Sequence, residues 1–217
     1  MSRLENNLLF IIRKELRYTY GFLRENRSEL LIICSGILFL TLDVYHPVWN
    51  QWFSSLLYLA VFPLIIMAIL RKNPVQYGLG IGHPGIWSFY VIITCFAAAP
   101  ILYATSHTPA FQNYYRIEHF DLLNYTLITL AALFAQEYFF RGFLLFGLKD
   151  KLKEGSILVQ MVPFVLTHYG KPELETISTI ITGILFGYIA YRGKSFWPVF
   201  FIHIFINLFF VAAVNLF

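Results

Sequence analysis

Long apolar runs follow one another along this chain, separated by short polar stretches. A helix needs about 20 apolar residues to cross a hydrocarbon core about 30 Å thick. Runs of that character lie near 30–48, 52–70, 86–105, 122–147, 156–169, 176–191 and 197–217, the fifth being short. The pattern predicts an all-α fold: a polytopic membrane helical bundle of about seven transmembrane helices. Ahead of the first run, Leu8, Ile11, Ile12, Leu16 and Tyr20 recur at steps of three and four, the spacing of one helix face. Lys and Arg are interspersed among them, so this segment reads as an N-terminal interfacial amphipathic helix, or alternatively as a solvated cytoplasmic one. No signal-peptide pattern is read ahead of it. The expected organisation is an amphipathic helix over 1–28, transmembrane helices over 29–120, and a core of transmembrane helices over 121–217. No internal repeat and no second soluble domain is visible.

Composition sharpens this picture. Of 217 residues, 58% are hydrophobic and only 13% charged, whereas a soluble domain is about one-quarter charged. That excludes a disordered chain, a nucleic-acid-binding domain and an ordinary soluble enzyme. The net charge of +4 comes from basic residues set singly between apolar runs, not from a nucleic-acid-binding patch. Cys34 and Cys95 sit inside apolar runs with no metal spacing, and read as two buried small hydrophobes.

The basic residues also give a direction. Arg3, Arg13, Lys14, Arg17, Arg24 and Arg27 precede the first run, and Arg71 and Lys72 follow the second. Lys149, Lys151 and Lys153 follow the fourth run, and Arg192 and Lys194 the sixth. Only Arg116 and Lys171 fall in the opposite connections, and Arg141 lies within a run. By the positive-inside rule the N-terminus is expected in the cytoplasm. A short chain with a basic N-terminus suits a bacterial inner membrane.

Ionisable side chains inside a bilayer are costly and mark functional sites. Glu137 and Arg141 lie four residues apart on the fourth run and can pair on one helix face. Such a pair either serves a site or merely neutralises itself. His168 lies on the fifth run, four residues after Phe164; His203 and Asn207 are four apart on the seventh. At 1.5 Å per residue, Gln136, His168 and His203 fall roughly 16, 18 and 9 Å from one membrane face. These depths are compatible with a shared site. A carboxylate and a histidine can activate water, and a histidine with an asparagine can hold an oxyanion. That is equipment for hydrolysing a peptide bond. A His-His-Glu zinc site is an alternative, but HExxH is absent and its ligands would come from three helices, so no cofactor or metal is expected. His46, His83, His107, His119 and Asp43 lie at span ends or in loops and read as exposed or interfacial. Thr179, Gly183 and Gly187 form a small-xxx-small stripe that lets a neighbouring helix approach.

The segment Gln136-Glu137-Tyr138-Phe139-Phe140-Arg141-Gly142 resembles the EExxxR motif of the CPBP family, the CAAX-protease and bacteriocin-processing (Abi) intramembrane endopeptidases. Phe164 to His168 matches that family's FxxxH, and His203 to Asn207 its HxxxN/D. The three motifs occur in order on successive helices, and the resemblance covers about 120–210. It implies a helical bundle around a conical cavity open to membrane and cytoplasm, and cleavage near the C-terminus of a membrane-tethered protein or peptide. His168 would orient water, His203 and Asn207 would bind the oxyanion, and Glu137, Arg141 and Phe164 would support them.

One departure matters. The first glutamate of the motif is Gln136 here, and a neutral amide cannot act as a general base. Gln136 is an engineered replacement, or the mark of a natural pseudoprotease, or a sign that Glu137 takes the role from a rotated helix face. The expected function is thus an intramembrane endopeptidase, inactive as written. The alternatives are a non-catalytic membrane binding or immunity protein, and a transporter or channel relaying protons through Glu137, His168 and His203. The partners expected are the bilayer and a membrane-tethered substrate, not nucleic acid. A prenylated tail, a bacteriocin leader and a sorting signal stay open as substrates, as does the oligomeric state.

Overall fold

The structure is a computed structural model that describes the backbone of residues 3–216 and the side chains of 7–216. Its helices are α1 (Arg3–Glu25), α2 (Arg27–Tyr45), α3 (Gln51–Ile69), α4 (Pro84–Ser106), α5 (Pro109–Tyr115), α6 (Leu122–Leu152), α7 (Gly155–Leu166), α8 (Glu173–Gly193) and α9 (Trp197–Leu216). No strand occurs among the described residues. Six segments are long and apolar enough to cross a membrane: α2, α3, Val75–Ser106, α6, α8 and α9. The protein is therefore a multi-pass helical membrane bundle. The fifth expected span is the exception. It forms the twelve-residue helix α7, about 18 Å long at 1.5 Å per residue and too short to cross alone.

Two helices widen locally. Leu57–Val61 in α3 and Tyr138–Phe146 in α6 adopt π-type turns, which add backbone per turn and recur at functional sites. The wide stretch of α6 is buried along its whole length. Phe139, Phe140, Phe143 and Leu145 are completely enclosed. α6 is thus the central helix, surrounded on all sides, and residues 138–146 show none of the one-sided burial of a peripheral helix.

The small-residue stripe does what its spacing predicts. A Cβ on Gly183 would sit 2.9 Å from Met161 Cγ, and one on Gly187 would sit 2.6 Å from Gln160 Nε2. α7 therefore packs directly on the α8 backbone, and Gln160 Nε2 donates to the Gly183 carbonyl at 2.9 Å. This tie holds the short α7 in place.

One end of the bundle is stitched shut by backbone hydrogen bonds between distant connections. His83 N–H donates to the Gly193 carbonyl and Phe196 N–H to that of Gly78. Trp197 Nε1 donates to the Leu79 carbonyl at 3.0 Å. Gly78 has φ +93°, a backbone that glycine reaches without strain.

Three expectations need correction or refinement. Asp43, near the end of α2, is buried in the bundle rather than exposed, and Ser55 on α3 donates to its carboxylate at 3.2 and 3.3 Å. Cys34 is exposed on the bundle surface and Cys95 half-buried, so neither is a core residue; a side chain facing lipid needs no burial in protein to escape water. α1 keeps its apolar residues exposed, with Leu8, Ile11, Leu16 and Tyr20 all uncovered. His46, His83, His107 and His119 are exposed at helix ends or connections.

Candidate active site

α6 carries Glu137 and Arg141 into the middle of the bundle, where both have no exposure at all. The arginine Nη1 lies 3.0 Å from Glu137 Oε1 and 2.9 Å from Oε2. Its Nε and Nη2 hydrogen-bond to no protein group. The guanidinium instead lies over aromatic rings, 4.2 Å from the centre of Phe164, 5.3 Å from Phe186 and 5.6 Å from Phe140. Ring faces are negative, so this cage attracts the cation where water is excluded.

α9 brings in the third member. His203 Nδ1 lies 2.6 Å from Glu137 Oε1, across 66 residues of sequence. A carboxylate oxygen accepts, so Nδ1 carries the proton and Nε2 is the nitrogen left for other partners. One turn on, Asn207 Oδ1 accepts a hydrogen bond from the Tyr125 hydroxyl at 2.8 Å. That bond occupies the amide oxygen and leaves the amide N–H groups free to donate.

His168 lies just past the end of α7. Its Nδ1 is 2.9 Å from the Phe164 carbonyl oxygen. A carbonyl accepts only, so here too Nδ1 carries the proton and the lone pair of the neutral ring is on Nε2. Thr176 donates to the His168 backbone carbonyl at 2.8 Å, tying this turn to α8. The Phe164 ring stands edge-on to both imidazoles, 4.8 Å from His168 and 6.2 Å from His203.

His168, His203 and Asn207 all line one cavity of about 370 Å³ between α4, α5, α8 and α9. Phe164 and Phe186 form its inner wall. Tyr115, Lys171 and Glu175 are polar groups nearer its rim. Tyr115 donates to Glu175 at 2.7 and 2.8 Å, and Lys171 pairs with Glu175 at 2.8 Å. Burial and the Glu175 carboxylate hold the Tyr115 phenol above its ordinary ionisation range.

The sequence-selected residues therefore fall into two sets. Glu137 holds both Arg141 and His203 while the Phe164 ring packs on Arg141 and faces His203, and His168, His203 and Asn207 share the cavity. Gln136 belongs to neither set. It is half-buried, makes no side-chain hydrogen bond among the described residues, and does not line the cavity. Glu137 does not line it either; it is joined to the cavity lining through His203 Nδ1. No group of three His, Cys, Asp or Glu side chains among the described residues is arranged to hold a metal ion. His203 Nδ1 is already committed to Glu137. Tyr125 escaped sequence reasoning: a tyrosine in an apolar run is an ordinary interfacial residue, and its partner lies 82 positions away.

Residues 118–209 match a family model described as type II CAAX prenyl endopeptidase Rce1-like. The likeness covers these residues alone, less than half of the chain. The match spans α6 to α9, contains all three motifs, and agrees with the CPBP resemblance they carry. No curated protein matches the chain, and no solved structure does. The N-terminal helices α1–α5 lie outside the Rce1-like segment but supply one side of its cavity, through Ile101, Leu102 and Tyr115.

Proposed function

We propose that the Rce1-like segment is an intramembrane endopeptidase site acting on a membrane-tethered protein. The observation that carries this reading is the convergence of His168, His203 and Asn207 on one cavity whose remaining lining is largely apolar. In the proposed reaction the substrate backbone enters that cavity. His168 Nε2 orients water and accepts its hydrogen bond. The attacked carbonyl oxygen gains charge and is held by His203 and Asn207. Tyr125 keeps the Asn207 amide N–H pointing to that oxygen. To donate to that oxygen His203 must carry a proton on Nε2 as well as on Nδ1, and Glu137, which accepts from Nδ1, is the negative partner such a ring needs. Arg141 holds the Glu137 carboxylate in place.

The proton acceptor is the missing part. Gln136 stands at the motif position whose glutamate takes a proton from water in the family; an amide cannot take it, and because position 136 lies outside the cavity lining, a glutamate there must turn toward His168 to act. As written, the chain binds substrate and cleaves poorly or not at all. The same feature favours a second reading, a binding protein on a protease scaffold.

A paired assay separates the two. Membranes carrying the Gln136 chain and membranes carrying Gln136→Glu are compared by mass spectrometry of new protein C-termini. Products from the Gln136→Glu chain alone identify a protease switched off at one atom. Equal products from both chains move the base to His168 or Glu137. No products from either, with a membrane protein co-purifying with both, identify the binding protein.

A further inference from the structure

The cavity and the basic residues lie at opposite ends of the bundle. The spanning helices alternate in direction, and α7 with the turn after it makes the return from the end of α6 to the start of α8, so the connections sort into two ends. One end holds the connections 46–50, 107–121 and 167–172. The other holds the start of α2, the connection from α3 to α4, and the turns 153–154 and 194–196. This second end is sealed against the cavity: the hydrogen bonds of Gly78 and Gly193 tie its connections together, and none of its residues lines the cavity. It also carries Lys149, Lys151, Lys153, Arg192, Lys194, Arg71 and Lys72, and adjoins the basic α1.

The first end is different in both respects. Its basic residues are Arg116 and Lys171, and Lys171 is paired with Glu175. Glu118, Asp121 and Glu173 lie there as well. The cavity reaches this end: Thr105 at the end of α4, Tyr115 on α5, and Lys171, Leu174 and Glu175 at the start of α8 all line it. His203 and Asn207 lie further in. Lys and Arg are retained on the cytoplasmic side of short membrane loops. The sealed end is then cytoplasmic, and the open end is not.

We infer that the cavity is entered from the extracytoplasmic side of the membrane, and that its substrate is a protein segment presented at that outer boundary. The second half rests on the endopeptidase reading; the first does not. This departs from the cavity open to the cytoplasm that the family resemblance implies: a prenylated tail reaching the membrane from the cytoplasm would meet the sealed end. A translocated protein held by an apolar anchor would present its polypeptide beside Leu174 and Thr105. Apolar walls at Ile101, Leu102 and Phe210 suit an extended apolar stretch.

Two measurements on the full chain test this. In a background of Cys34→Ala and Cys95→Ala, Leu174→Cys is placed at the cavity rim and Lys151→Cys at the sealed end. Asn113→Cys, exposed on α5, duplicates the rim position in case Leu174→Cys is unreactive. A membrane-impermeant maleimide is applied to right-side-out cells and to inverted vesicles. Leu174→Cys or Asn113→Cys should label in cells at least tenfold faster than in inverted vesicles, and Lys151→Cys the reverse. Rim labelling from the cytoplasmic side, or equally from both, overturns the inference. New C-termini produced by the Gln136→Glu chain are then mapped on substrates of known topology. Extracytoplasmic sites support the substrate class and cytoplasmic sites overturn it. An absence of cleavage overturns the endopeptidase reading while the labelling still decides the face.

Discussion

His203 Nδ1 sits 2.6 Å from Glu137 Oε1, and the same carboxylate holds Arg141. One buried carboxylate thus does two things: it neutralises a guanidinium and turns an imidazole so that its other nitrogen is available to the cavity. A helix-local ion pair and a cross-helix hydrogen bond share a single acceptor. The pair that sequence spacing could dismiss as self-neutralising is tied to the cavity by α9.

Glu137→Gln should be severely destabilising. Removing one partner leaves Arg141 charged and enclosed, a loss of about 3–5 kcal/mol for a broken buried pair. Unfolding of the purified protein in detergent, followed by circular dichroism, checks this. The double replacement Glu137→Leu with Arg141→Met should recover much of the loss, since it leaves neither charge unpaired.

Tyr125→Phe removes one hydroxyl and frees Asn207 to turn. A hydrogen bond is worth about 1 kcal/mol net, and that corresponds to about a fivefold rate effect. Measured in the Gln136→Glu chain, kcat should fall by about that factor with KM nearly unchanged. An unchanged kcat would show that Asn207 is held by other means.

Gly187→Ala should disturb the α7–α8 contact, because the new methyl meets Gln160 Nε2 at 2.6 Å and Ile157 Cγ2 at 2.9 Å. Overpacking of this kind costs about 1–3 kcal/mol. Gly21→Ala is the control: nothing lies within 4 Å of its Cβ, and α1 should become slightly more helical. Both are read as shifts in the detergent unfolding midpoint.

Tyr115 makes stability fall at alkaline pH. Its phenol is held above the ordinary range in the folded protein by burial and by Glu175, whereas in the unfolded chain it ionises near pH 10. Between these values the unfolded state loses a proton that the folded state keeps, so stability is full below about pH 10 and declines above it. Tyr115→Phe should flatten that decline in unfolding midpoints taken from pH 8 to 11. An unchanged slope would assign the effect to another group.

Most of the architecture was legible because its cause is local. A run of apolar residues must become a helix in a bilayer whatever surrounds it, since its backbone groups have no other hydrogen-bond partners there. The same logic picked out Glu137, Arg141, His168 and His203: an ionisable residue in an apolar run is conspicuous by itself. The short α7 was misjudged as a span because hydropathy counts the apolar residues around His168 without registering where the helix stops.

The amino-acid sequence by itself determined that this is a helical membrane protein, which residues are polar at depth, and the three motif pairs spaced four apart. Each of these follows from neighbours within a turn or two of helix. Only the tertiary structure decided that Glu137 rather than Gln136 faces His203, that Tyr125 holds Asn207, and that the cavity reaches the end of the bundle away from the basic residues. Those are relations between helices distant in the chain. They depend on how each helix is rotated and packed against the others, which periodicity along one strand of sequence does not encode.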